Sequence, residues 1–179
     1  MRTLIAAAAL GALATTAIAQ QAGTEADQDY AAQIWAQMID SGFAGEGAVM
    51  SHPYPGTDPH GMMLETYYTE ATVDGHTGQL IIKRNYGPEG VSADEVLAAP
   101  EEHLGAVTIM FQREAGYDPD TNNWFYAKYL PDGTLDQNPA GMALAGLVGK
   151  GADAGCIACH SAAPGEDFLF LTDPTTGSE

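Results

Sequence analysis

The chain has 179 residues, with 24 acidic side chains against 6 basic ones, a net charge of −18 and an isoelectric point near 4.2. So large an excess of carboxylates argues against nucleic acid and anionic membrane as partners; it suits a basic redox partner or simply a solvated surface. The two cysteines, Cys156 and Cys159, stand so close together that a bridge between them would close a tiny loop and stabilise little, so they are present for chemistry.

Residues 1–19 read as a cleaved signal peptide. Met1 and Arg2 form a short positive start, Leu4 to Leu13 an apolar run, and Ala17-Ile18-Ala19 the small-x-small pattern before Gln20. The expectation is an exported, periplasmic protein. No later segment approaches the roughly 20 apolar residues of a membrane span. Residues 20–179 suit one domain with its own core.

Thr24 to Ser41 has helical periodicity, with Tyr30, Ile34, Met38 and Ile39 on one face, Trp35 beside them, Thr24 placed to cap its start and Gly42 to close its end. Gly42 to Gly61 is rich in Gly and Pro and reads as a long loop. Met62 to Val73 and Gln79 to Tyr86 read as strands around an Asp74-Gly75 turn. Ser92-Ala93-Asp94-Glu95 is a capping box for a short helix ended by Pro100. Gly105 to Arg113 alternates as a third strand, with Val107, Ile109 and Phe111 on one side. Trp124 to Leu130 is a fourth, and Pro139 to Gly149 is expected to be a small apolar helix leading into the cysteines. The fold class expected is α+β: mainly an antiparallel β-sheet with a few flanking helices, in a single domain.

Cys156-Ile157-Ala158-Cys159-His160 is C-x-x-C-H, the attachment signature of haem c. Thiols one helical turn apart reach two vinyl groups on one macrocycle edge, and the adjacent histidine supplies an axial imidazole to the iron. A thioredoxin-like C-x-x-C would require a strand before it and a helix after it; here Gly-rich sequence precedes the motif and Ala-Pro-Gly follows. The expected cofactor is one covalently bound haem c, with His160 as the iron's axial ligand. For the sixth position the chain offers His52, His60, His76 and His103, and six methionines, Met38, Met50, Met62, Met63, Met110 and Met142. A methionine or histidine there makes an electron carrier; an open position makes a gas-binding or catalytic site. The motif stands near the end of the chain, after a sheet, which weakens the electron-carrier reading. The four β-type segments also speak against a four-helix cytochrome bundle.

Four segments in this order carry a resemblance: Pro59-His60-Gly61, Lys83-Arg84-Asn85-Tyr86, Gly116-Tyr117-Asp118-Pro119 with Trp124 to Tyr129, and the terminal Cys156 to His160. Over residues 24 to 171 the chain resembles the cytochrome P-460 family, which includes the β-fold cytochromes c′. The resemblance implies a mostly antiparallel β fold, a homodimer, and a five-coordinate haem with an open distal pocket. In P-460 members a lysine is joined to the haem edge and hydroxylamine is oxidised to nitrogen oxides, with a soluble electron acceptor; in the c′-beta members the haem binds nitric oxide beneath an apolar cap. Lys83 is the residue matched to the cross-linking lysine, and strand alternation puts it on one face with Ile81 and Asn85. Candidates for the distal carboxylate are Glu65, Glu114 and Asp153. Phe43 and Tyr54 are candidates for a distal cap, or for loop pins. His60 is either a distal group or the donor of a structural hydrogen bond.

Overall fold

The computed structural model describes residues 22–170; the expected signal peptide lies outside the described residues. Helix α1 spans Glu25–Asp40, and Thr24 and Asp27 close a reciprocal capping box at its start. Tyr30, Ile34 and Met38 turn inward as their spacing requires. Ile39 does not; it is 48% exposed, because its position lies past the edge of the stripe that faces the sheet.

Six antiparallel strands follow one another in sequence order: β1 (Tyr54–Pro55), β2 (Met63–Val73), β3 (His76–Tyr86), β4 (Leu104–Gln112), β5 (Trp124–Tyr129) and β6 (Ala145–Gly146). The β2–β3 hairpin closes through Asp74 and Gly75, both with positive φ, as a right-twisted two-residue turn requires. Helices α2 (Ala93–Ala98) and α3 (Pro100–His103) bridge β3 to β4, α2 with the expected capping box and α3 opened by Pro100. The last helix, α4 (Cys156–His160), contains the cysteine motif.

The helix expected over Pro139 to Gly149 does not form. Asn138 takes the Ala140 and Met142 amides on its side-chain oxygen, Gly141, Gly146 and Gly149 have positive φ, and Ala145–Gly146 instead pair with β5 as β6. An Asx-type turn captures the amides that a first helical turn would use.

Strand alternation divides the sheet into two unlike faces. Leu80 and Ile82 of β3, Val107, Ile109 and Phe111 of β4, and Phe125, Ala127 and Tyr129 of β5 meet α1 in the main core. Ile81, Met110, Trp124 and Tyr126 point the other way, where they pack with Leu147, Val148 and Ile157 of the segment carrying α4.

Buried polarity fixes the register between β2 and β3. Glu65 is fully buried; it ion-pairs with Arg84 at 3.3 Å and accepts hydrogen bonds from Tyr67 and Tyr86. Arg84 also donates to the carbonyls of Phe43 and Val49, which ties the long loop to the sheet. Replacing Arg84 with Met leaves Glu65 buried without its cation. Urea denaturation of Arg84→Met should show a loss of about 3–5 kcal/mol, whereas the double variant Glu65→Leu, Arg84→Met should lose clearly less.

Candidate functional site

Helix α4 has five residues, too short to hold itself, so its surroundings place it. Ile157 is buried against the second face of the sheet, and its amide bonds the Val148 carbonyl at 2.9 Å. Gly149 and Gly155 pass so closely that a Cβ on Gly149 would lie 2.8 Å from the Gly155 Cα. That double glycine contact lets the chain enter α4 against the preceding turn.

Cys156 and Cys159 therefore sit one turn apart, the first half-buried and the second exposed, and both are free thiols. Burial pushes the Cys156 thiol up to about 11, so it is held as an uncharged sulfur in an apolar wall. That is the reverse of the activated thiolate found in redox C-x-x-C motifs.

His160 closes the helix. Its Nδ1 lies 2.8 Å from the Phe168 carbonyl, which fixes the ring and leaves Nε2 for another partner. Burial, with the charge of Lys83 adding to it, moves His160 below the ordinary histidine value and keeps the imidazole neutral. Tyr126 lies edge-on to it at 5.6 Å between ring centres, Phe170 at 5.5 Å and His60 at 6.2 Å.

The sheet wall opposite is built from Lys83, Asn85, Thr108 and Tyr126, all on the α4 side of their strands. Lys83 pairs with Thr66 on β2 and Thr108 on β4, so it stands at the centre of this face. Thr108 Oγ1 connects the neighbours: it receives Asn85 Nδ2 at 3.3 Å, lies 3.2 Å from His60 Nδ1, and donates to the Lys83 carbonyl at 3.5 Å. Burial first, and then the charge of Lys83, hold His60 down to about 4, so it too is neutral. The Tyr126 hydroxyl and Asn85 Oδ1 are buried on this face without a hydrogen-bond partner.

These residues fit a haem. Two thiols at one-turn spacing, a neutral imidazole anchored through its far nitrogen, and two buried polar atoms lacking partners are what a macrocycle bound there would engage. Among the described residues no three His, Cys, Asp or Glu side chains converge as a metal cage, so these donors do not form a protein-only metal centre.

The three candidate carboxylates lie elsewhere. Glu65 is on the α1 side of the sheet, in the ion pair with Arg84. Glu114 is beyond the end of β4 in a 2.8 Å pair with Arg113, whose guanidinium stacks on Tyr30 and Tyr117. Asp153 is exposed in the turn before α4. Phe43 packs on Tyr67 in the α1 core and pins the loop. Tyr54, by contrast, reaches Thr66 Oγ1 at 2.5 Å, at the rim of the α4 face. His76 bonds the Gln112 carbonyl and His103 lies against that of Gly87, so of the four spare histidines it is His60 that comes to His160. The role of Thr108 carried no sequence signal, since one threonine in a strand is ordinary; its register opposite Lys83 was the missing information.

A cavity of about 420 Å³ lies between Trp35, Ala44, Met50, Arg84, Tyr86 and Leu104, on the α1 side of the sheet and away from His160. Comparison with known proteins adds no relative: no protein-family model, no curated protein and no solved structure matches the chain.

The unequal thiols give a direct test of this geometry. In chain produced without haem attachment, iodoacetamide at pH 8 should label Cys159 first, with Cys156 slower by on the order of 100-fold, as followed by mass spectrometry of quenched samples. Equal rates would mean that α4 does not dock as described.

Proposed function

We propose that this chain is an exported mono-haem c-type cytochrome that binds a small nitrogenous ligand such as nitric oxide at the iron. The observation that carries the reading is the arrangement of α4: both thiols on one turn, with His160 locked through Nδ1 to the Phe168 carbonyl, on a sheet face where the Tyr126 hydroxyl and Asn85 Oδ1 are buried without a hydrogen-bond partner. Haem when bound supplies a Lewis-acidic, redox-active iron. The protein's part is to attach it through Cys156 and Cys159, hold one axial imidazole neutral and oriented, and surround it with the apolar side chains of Ile81, Met110 and Ile157.

Ligand binding is favoured over hydroxylamine oxidation because oxidation requires a base to take protons from the substrate. Glu65 faces the opposite core, Glu114 lies past the sheet end and Asp153 is in solvent, so none of the three is offered to a substrate at His160. One observation keeps oxidation as a second reading: Lys83 shares the α4 face, near enough to both histidines to depress their proton affinity. A haem held there would lie beside the residue that the P-460 resemblance matches to the cross-link.

Two measurements test these readings. Cys156→Ala with Cys159→Ala should abolish haem that survives denaturing electrophoresis; covalent haem persisting in that double variant would overturn the proposal. Peptide mapping of the haem-bearing fragment, with the ferrous absorption spectrum, separates the two chemistries. We expect no Lys83 peptide to travel with the haem, and an unshifted Soret band. A Lys83 peptide travelling with the haem and a Soret band far to the red would instead establish the oxidase reading.

A further inference from the structure

We propose that His60 is the second axial residue of this site: it stands across the iron from His160 in the resting protein, and an incoming ligand must displace it. The inference rests on the haem reading above and replaces the open distal position implied by the family resemblance.

The first argument is distance. The ring centres of His60 and His160 are 6.2 Å apart and their planes are 88° to one another. Two imidazoles bonded to one metal from opposite sides, at about 2 Å each, place their ring centres about 6 Å apart. A histidine that only hydrogen-bonds to an iron-bound ligand must stand roughly 2 Å farther away or more, because a ligand atom and a hydrogen bond replace the direct bond. The observed separation matches the ligating arrangement.

The second argument is the tautomer. Thr108 Oγ1 has one proton to give, with the Lys83 carbonyl at 3.5 Å as one acceptor, and it accepts from Asn85 Nδ2. Its contact with His60 Nδ1 at 3.2 Å fits either direction, and in the tautomer whose Nδ1 carries the hydrogen His60 donates while the hydroxyl proton goes to the Lys83 carbonyl. This leaves the Nε2 lone pair free, which is the form a metal takes. His160 is held the same way, with Nδ1 donating to the Phe168 carbonyl. Metal-bound histidines are characteristically fixed through their second nitrogen in this manner.

The third argument is presentation. His60 stands in a turn whose amide bonds the Thr57 carbonyl, and two residues later the Met62 amide bonds the Tyr86 carbonyl. The loop is thereby fastened to the end of β3, at the edge of the face occupied by Asn85 and Lys83. Two protein donors rather than three come together here, which suits a metal whose other four positions belong to a macrocycle.

An edge-to-face ring pair with nothing between the rings occupies the same range of separations. Experiment separates the two. The holoprotein, with covalent haem verified on denaturing gels, is examined as wild type, His60→Ala and Lys83→Ala by ferric absorption and electron paramagnetic resonance, with circular dichroism to verify folding. The expected result is a low-spin ferric signal in wild type and Lys83→Ala, a high-spin signal in folded His60→Ala, and restoration of low spin in that variant by added imidazole. Ferrous His60→Ala should also take up nitric oxide at least 10-fold faster than wild type. Thr108→Val, which removes only the positioning hydroxyl, should give a mixture of the two spin states. A high-spin wild type, or a low-spin signal that survives His60→Ala, overturns the assignment, and loss of low spin in Lys83→Ala alone would transfer the role to that lysine. Absence of covalent haem in wild type would instead defeat the haem reading itself.

Discussion

The pairing of Glu65 with Arg84 governs the rest of the molecule. It is a buried charge pair, and such pairs contribute little net stability while penalising any arrangement that separates them. Here they occupy opposed positions on β2 and β3, with Tyr67 and Tyr86 completing the carboxylate's hydrogen bonds. A slip of one residue would send Arg84 to the α4 face and Lys83 into the main core, exchanging every neighbour on both sides. The register that buries Glu65 is therefore also the register that sets Lys83 and Asn85 on the face beneath His160.

The second face of the sheet is dressed unlike the first. The α1 side is filled by aliphatic and aromatic side chains, while the α4 side mixes Ile81, Met110 and Tyr126 with an amide, a hydroxyl, an ammonium and two imidazoles. Burying such groups costs free energy unless each finds a partner, and Tyr126 and Asn85 Oδ1 have none. A five-residue helix over a half-satisfied polar wall is a poor structural solution and a reasonable binding one. On the haem proposal, its free energy would be completed by the group that the thiols and imidazoles attach.

Much of the fold was legible because its signals are local. Asp74-Gly75 has the positive φ values its hairpin turn demands, the boxes at Thr24 and Ser92 cap the helices they precede, and Val107, Ile109 and Phe111 line one face. The helix expected over Pro139 to Gly149 failed because the rival interaction, Asn138 on two amides, is equally local but was outvoted by an apolar composition. Ile39 shows the limit of helical periodicity, which defines a stripe but not its edge. The site divides the same way. C-x-x-C-H is contiguous and can be read directly, whereas the placement of Glu65 depends on which strand face is covered. The approach of His60 depends on loop closure over about 100 residues of sequence, which no spacing encodes.

Charge joins the site to its surroundings. The basic side chains of the described residues are committed to partners within the chain: Arg84 to Glu65 in the interior, Arg113 to Glu114, Lys128 to Asp136 and Lys150 to Asp118 nearer the surface, and Lys83 to the face beneath His160. The remaining carboxylates dominate the exterior, so the field outside the molecule is strongly negative while that at the histidines is positive. Such a field slows the approach of anions and leaves neutral diatomic gases unaffected. It also steers any macromolecular electron donor or acceptor toward being basic, with an association rate that falls as ionic strength rises. If the chain holds a haem as proposed, selection among small nitrogen compounds would begin at the surface, where an anion such as nitrite is disfavoured and neutral nitric oxide is not, and would finish where the newcomer competes with the His60 imidazole.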